Sequence, residues 1–450
     1  MYIIPFILSL FHLLPEVSDS AKSDLLVWIM SRKMIKEYES ENQRYHEGNA
    51  PQVYQDSVYY YSDVEPIIAQ NCIFCHNENG NAPFDLTGYV NLKKRSPVVK
   101  LVLKERIMPP WLADYHYSDL FNAPAMTDHE RSVVITWIEN GCEKGNIDHY
   151  PQAAGALEFE SPDLELVLPQ RHTVTSDDDT YQCFMYEVKV NEPKYLTGVE
   201  FLSDNPEVIH HMMLYLDTCG IIESNVNSWN CKNDGVVNKL FPIQSWSRGM
   251  RPFRLNNKLG YRLKSGDRFL LQTHYGDEGN KGRKERTTLR LHFTDSVVSP
   301  VNFEILNKLD ILYPPDTIMV EHMVYEVKDS ISLLGVIPHS HFLVRKMECF
   351  AITPDNRQIQ LLRIPDWDYL WQGQCMFRHP QIIPKGSTIY FFELIDNTER
   401  NPYQPNDPVR EVRYATNSND EMFTVVLLNK TYEKGDESMK VGYFLNQIGN

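Results

Sequence analysis

At 450 residues the chain exceeds one average domain, so about two to four domains are expected. Its 60 acidic and 44 basic residues give a net charge of −16, and no basic stripe runs along it, which excludes a nucleic-acid-binding surface. A hydrophobic content of 42% with 12% aromatics excludes a disordered chain.

The chain opens on MYIIPFILSLFHLLPEVSDSA. An apolar run from Ile3 to Leu14, followed by small polar residues, has the form of a signal-peptide core with its cleavage region. Residues 1–21 are therefore expected to be a signal peptide, and the protein to be exported to a periplasm, the extracellular space or a secretory lumen. The run is too short to span a bilayer and no other stretch approaches about 18 apolar residues, so no membrane span is expected. Residues 22–54 are polar apart from the island Leu25–Met30 and read as a linker or a short helix.

Helical patterning follows over residues 55–150, in Asp63–Gln70, Leu92–Arg106 and Thr127–Asn140. The last opens on Thr127-Asp128-His129-Glu130, a capping-box signature, and closes before Gly141, a natural C-cap. After Pro151 the pattern changes to short alternating segments rich in β-branched and aromatic residues, among them TYQCFMYEVKV, RFLLQTHY, TTLRLHF and GSTIYFFELI. Turn signals such as KSGD, PKGS and TPDN separate them, which is the pattern of β-sandwiches. Their extent is long for one sandwich, so two are expected in series, over 158–310 and 311–450, divided at the proline-rich run Ile311–Thr317. The fold class is thus a small all-α domain followed by two all-β, jelly-roll-like sandwiches.

Asn71–Asn77 reads NCIFCHN, in which Cys72, Cys75 and His76 form C-x-x-C-H. Two thiols bond the vinyl groups of a haem c and the histidine binds its iron. A redox C-x-x-C or half a zinc site leaves the adjacent histidine unexplained, and no second C-x-x-C completes a zinc cage. Met108, in RIMPPW, is the first candidate for the sixth iron ligand and Met126 the second; a thioether there raises the potential, while core packing is the other reading of both. The stretch CIFCHNENGNAPFDL with RIMPPW and MTDHERSVVITWIENG resembles small cytochrome c domains fused to copper monooxygenases, which implies an electron carrier. Six of the eight cysteines remain: Cys142, Cys183, Cys219, Cys231, Cys349 and Cys375. In an exported protein they suit disulfides, with Cys219–Cys231 and Cys349–Cys375 the most local candidate pairs; small buried apolar side chains are the alternative.

Fifteen histidines are present, and the β region groups several of them in VIHHMML, LLQTHYGD and IPHSHFL. On a strand His339 and His341 point to the same face and can grip one ion. His210 and His211 are adjacent, so both reach one metal only if the strand bulges or turns there, or the rings use different nitrogens. His274 can complete a three-imidazole site with them, a donor set that suits copper; two imidazoles with a thioether suit cuprous copper. Read singly, each of these motifs has a structural explanation as well. His292, His322 and His379 are read as structural, Tyr275 as packing, and the stretch around Asn397 as a solvated loop near the second site.

In this order and at comparable spacing, HHMM, QTHYGD, PHSH and the DEM of Asp420–Met422 resemble the copper type II, ascorbate-dependent monooxygenases, of the peptidylglycine-hydroxylating and dopamine β-monooxygenase type. The resemblance covers roughly Pro162 to the C-terminus. It implies two β-sandwiches with one copper each, facing across a solvent-filled cleft. His210, His211 and His274 would hold an electron-storing copper, and His339, His341 and Met422 the copper that meets dioxygen and substrate. The chain departs from the peptide-hydroxylating pattern at Ile337, where an Arg that binds the substrate carboxylate is expected, and at Phe423, Thr424 and Val426, where Cys, Asn and Tyr are. Glycine-extended peptides are therefore not the expected substrates, and one family disulfide cannot form. The implied function is C–H hydroxylation of a small organic substrate by O2, with two coppers, one haem c as relay, and ascorbate or a redox partner as donor. A non-enzymatic copper-handling or electron-transfer protein, and a haem protein with purely structural histidines, are the competing readings.

Overall fold

The computed structural model describes residues 18–445 except 45–56, 79–81, 83, 110–112, 115, 123–125, 147–160, 177–179, 189, 191–192, 223–226, 233–234, 248–249, 277–279, 296–298 and 370–371. The signal peptide expected over 1–21 lies outside the described residues up to residue 17, and its last residues enter a helix, Asp19–Arg44. Up to Arg44 the stretch expected as a linker or short helix is this 26-residue helix. Leu26, Met30, Met34 and Tyr38 recur every four residues, so they form one apolar stripe. That stripe packs on Phe350, Tyr390, Phe392 and Leu394 of the distal β-sandwich. Tyr38 Oη adds a buried hydrogen bond to the Asp396 carboxylate at 2.7 Å.

A small helical body follows, built from Tyr60–Val64, Glu65–Asn71, Gly88–Lys104 and Asp128–Glu139 around Val64, Leu92, Met126, Val134 and Trp137. The capping box forms as read: Thr127 Oγ1 accepts from Glu130 N at 3.1 Å, and Glu130 Oε2 accepts from Thr127 N at 2.7 Å. Gly141 takes φ +90° just past the helix end, where only glycine is unstrained. Between the last two helices, residues 116–122 run along the distal sandwich. Leu120 bridges to Phe377, Phe121 N donates to Met376 O at 2.9 Å, and Asn122 Nδ2 donates to Gln374 O.

The first sandwich has one sheet in the order Ser228–Asn230, Thr180–Glu187, Arg268–Tyr275, Ile209–Asp217, Phe241–Ser247, all antiparallel. Alternate residues Leu214, Leu216, Phe269 and Leu271 turn inward onto Leu196, Val199, Leu289 and Leu291 of the opposing sheet. The second sandwich pairs Asn302–Asn307, Phe423–Thr431, Ile331–Ser340 and Cys375–Ile383 in one sheet; the other holds Thr317–Glu326, Thr388–Asn397, Val344–Ile352 and Gln358–Ile364. The division between the sandwiches differs from the sequence reading. Asn302–Asn307 pairs with Phe423–Thr431, so it falls near residue 301 rather than 311. The proline run lies inside the second sandwich, where Tyr313 pairs with Val412, because prolines break a strand without needing an interdomain linker. The final strand, Gly442–Phe444, returns to the first sandwich and pairs with Phe253–Leu255.

One disulfide is present among the described residues, Cys183–Cys231, with Cα atoms 5.8 Å apart. The expected pairs Cys219–Cys231 and Cys349–Cys375 do not form; Cys219 is exposed, and Cys349 and Cys375 are buried thiols. Strand pairing decides this, since Cys183 lies opposite Trp229, two residues before Cys231. No described helix is long and apolar enough to cross a membrane.

The loop after the strand that carries both adjacent histidines is anchored by Asp217, which accepts from Ile221 N at 3.0 Å, Ile222 N at 3.2 Å and Arg268 Nη2 at 2.9 Å. Burial pushes this carboxyl up, but the backbone N–H groups and the guanidinium outweigh it and hold it below its usual value. Asp217→Asn should therefore cost about 3 kcal/mol, since it leaves a buried guanidinium short of its counter-charge. A depressed carboxyl contributes stability above its unfolded value of about 4 and loses it as pH falls further. Chemical unfolding at pH 7 and pH 3 should show a mutational cost that shrinks in acid.

Candidate metal centres

His210 and His211 sit at the start of Ile209–Asp217, and His274 near the end of the neighbouring Arg268–Tyr275. Cross-strand register pairs His274 with His211 but Tyr275 with Ile209, leaving His210 as an inserted residue. This is the bulge that two adjacent histidines require in order to face one ion. The three imidazoles are buried and present ligand nitrogens that all lie within 4.8 Å of one another. His210 Nδ1 and His211 Nδ1 are 2.9 Å apart. Two nitrogens bound at ~2.0 Å and set about 90° apart around one ion lie about 2.8 Å from each other, so the spacing fits a shared metal. Burial, then the neighbouring imidazoles, holds His211 far below its ordinary value, which keeps its ring neutral as a ligand must be. Tyr181 stacks on His274 with centroids 4.2 Å apart and planes 5° from parallel, fixing that ring.

In the second sandwich, His339 lies near the end of Ile331–Ser340 and His341 just past it, with ring centroids 5.6 Å apart. His341 Nδ1 meets Asp420 O at 3.1 Å, so Nε2 is the nitrogen that could face a metal. His339 Nδ1 faces Gln372 Oε1 and is oriented in the same way. Burial pushes His339 down to about 4, against the pull of Gln372. Glu421 ties the site together. Its carboxylate accepts from the backbone N–H of His341, of Leu343 at 3.0 Å, of Met422 at 2.9 Å and of Val344. One buried group thus clamps the His341 turn to the residue that carries the thioether, and Met422 lines the same cavity as His339.

The two histidine groups meet. His211 and His339 have ring centroids 5.8 Å apart, and Tyr369 stacks on His210 at 4.4 Å while lying 5.5 Å from His341. The solvent-filled separation implied by the resemblance is absent at this point. Leu334, Ile337, Met376, Val426 and Leu428 of the second sandwich share a hydrophobic core with the first, and Ser247 Oγ donates to Gln372 O across the junction. Tyr369, Gln372 and Glu421 were not singled out in the sequence reading. Gln372 and Tyr369 lie in the loop WDYLWQGQC, whose residues carry no ligand-like spacing. Among residues read as structural, His292 bonds Glu200 at 2.9 Å, His322 stacks on Phe392 and His379 Nδ1 meets Met439 O at 3.0 Å. Tyr275 donates to Glu285 at 2.6 Å in a buried pair.

In the helical body Cys72, Cys75 and His76 occupy one turn, with His76 N donating to Cys72 O at 2.9 Å. Neither thiol is in a disulfide. Burial first, with a smaller push from Cys75, raises Cys72 to about 12; burial raises Cys75 to about 11. A redox-active C-x-x-C needs a stabilised thiolate, so these values disfavour that alternative. His76 Nδ1 meets Phe84 O at 3.0 Å, so Nε2 is the nitrogen that could bind an iron. The residues therefore fit a covalently held haem. Met126 is buried in the core against which Cys72 packs, and Met108 is half-buried, with its carbonyl held by Arg131 at 2.8 Å. Arg251 of the first sandwich lies 5.5 Å from the Phe74 ring, inside the C-x-x-C-H turn.

Fold and site together define a double β-sandwich protein with a cluster of three imidazoles at the junction that could hold a metal ion. Residues 165–282, which contain all three of those histidines, match the family model of the copper type II ascorbate-dependent monooxygenase, N-terminal domain, and this supports that family. No curated protein matches the chain. Among solved structures it is similar to the cowpea mosaic virus top component, at 9% identity over 64% of this chain and 95% of that one, with TM-score 0.25. The major capsid protein P2 from bacteriophage PM2 is matched at 8% identity over 60% of this chain and 98% of that one, TM-score 0.23. Likenesses this low carry no argument about function.

Proposed function

We propose that the chain is an exported copper monooxygenase that hydroxylates a C–H bond of a small organic substrate, fed through a fused c-type haem. The observation that carries this reading is the meeting of the His210, His211 and His274 cluster with the His339 and His341 pair, where His211, His339 and Met422 line one cavity. The balance is R–H + O2 + 2 e⁻ + 2 H⁺ → R–OH + H2O, with the electrons from ascorbate or a partner redox protein. Copper supplies dioxygen binding and one-electron storage, the first at the set of two imidazoles and a thioether and the second at the three-imidazole set. The protein's own residues hold those sets: Glu421 and Gln372 orient the first, the strand bulge and Tyr181 the second. Cys72 and Cys75 would attach the haem, His76 would bind its iron and Met108, or else Met126, would be the sixth ligand; the group supplies outer-sphere electron transfer.

Metal and haem analysis of the full chain, paired with O2 consumption under a reductant, tests this. Two coppers and one haem are expected, with one copper lost in Met422→Ala. One haem without copper would leave a cytochrome fused to β-sandwiches and remove the enzyme reading. Cys72→Ser/Cys75→Ser should slow copper reduction by the natural donor; equal rates would remove the relay.

A further inference from the structure

A cavity of about 170 Å³ lies between the sandwiches, and the strands arrange its walls by rows. On Ile209–Asp217, alternate residues His211, Met213 and Tyr215 all line it; on the facing sheet Met422, Thr424 and Val426 do the same. Cross-strand register builds the second wall in two steps. Thr424 lies between Asn307 and His339, and Val426 lies between Ile305 and Ile337. The Ile305–Val426–Ile337 row is two residues, about 7 Å, along the strands from the Asn307–Thr424–His339 row. The ligand-bearing end is therefore followed by an aliphatic floor, roofed by Met213, Tyr215 and Pro242.

Charge is nearly absent from these walls. Among the described lining residues no Asp, Glu or Arg occurs, and Lys232 is the one ammonium. The polar pair Asn307–Thr424 is uncharged, with Thr424 Oγ1 donating to Asn307 Oδ1 at 2.6 Å. A carboxylate or ammonium placed on the aliphatic row would lose its hydration without a partner there. The volume sets the size, since an apolar cavity of about 150 Å³ accepts benzene.

We propose that this cavity takes a small neutral molecule, one aromatic ring or an aliphatic body of similar volume with at most one hydroxyl- or amide-sized polar group. Resting on the monooxygenase reading, the molecule presents a C–H bond to the end formed by His339 and Met422. Its apolar body lies on Ile305, Val426 and Ile337, and its polar group meets Asn307 or Thr424.

The test is calorimetric titration of the full-length chain, metal-free and copper-loaded in parallel, with benzyl alcohol, benzoate and benzylammonium, which share a ring and differ in charge. Benzyl alcohol should bind at least about tenfold more tightly than either ion. Ile337→Phe, which fills the cavity, should abolish that binding, and the half-buried Ile305→Arg should shift preference about tenfold toward benzoate. Equal affinity for an ion, or an unchanged order in Ile305→Arg with native circular dichroism, would overturn the proposal. Copper content separates the two failures. Two coppers with no neutral preference sinks the substrate class alone, whereas neutral preference without copper sinks the enzyme and leaves the cavity.

Discussion

His341→Ala should remove one of two coppers and lower turnover on the order of a thousandfold or more, because a lost ligand takes the reacting metal with it. The position is fully buried and its ring is fixed through Nδ1 by the Asp420 carbonyl. The one other imidazole of that set, His339, has its own anchor on Gln372 and cannot supply two donors. His322→Ala is the matched control. That ring lies on the other sheet of the same sandwich against Phe392, so copper content and rate should hold at the wild-type values. Metal analysis and O2 consumption read both variants. Retention of two coppers and full turnover by His341→Ala would remove His341 from the ligand set.

Glu421→Gln should destabilise the protein by about 2–4 kcal/mol and weaken copper at the thioether site by about 10–100-fold. The carboxylate accepts from four backbone N–H groups, and an amide offers one acceptor oxygen while aiming an NH2 at the remaining donors. Burial pushes the Glu421 carboxyl up to about 8 even with the four backbone donors pulling it down, and no salt bridge offsets that burial among the described residues. Glu421→Asp keeps both carboxyl oxygens but shortens the reach. It should recover part of the stability while leaving copper weak, because the clamp spans both the His341 turn and Met422. Thermal unfolding with copper titration distinguishes this from a general loss of fold. Weakening equally at the three-imidazole site would count against a local clamp.

Local rules proved legible in the chain and long-range ones did not. The Thr127–Glu130 box and Gly141 are set by neighbours three or four residues apart, and the structure reproduces both. The β-branched and aromatic runs TYQCFMYE and RFLLQTHY read as strands by composition, although both faces of each are largely buried. Side-chain parity left a bulge, a turn or the use of different ring nitrogens at His210 and His211, and the register shift supplies the bulge. The helix Asp19–Arg44 was underread because its apolar stripe is one residue in four and makes sense only against Phe350 and Phe392. Cys183–Cys231 joins residues 48 apart, a closeness that strand pairing creates and sequence distance hides. Tyr369 and Gln372 reach the histidines from a loop whose course depends on the whole second sandwich. Contact between the two histidine groups is likewise a property of how two finished sandwiches meet.

The return of Gly442–Phe444 to the first sandwich gives the molecule a mechanical property. The backbone crosses the junction near residue 301 and again between Met439 and Gly442. Two pinned crossings, with Leu334, Ile337, Met376, Val426 and Leu428 buried in the core of the first sandwich between them, resist both sliding and straight separation. The spacing of His211 and His339 is therefore held by the chain at two places as well as by side-chain packing.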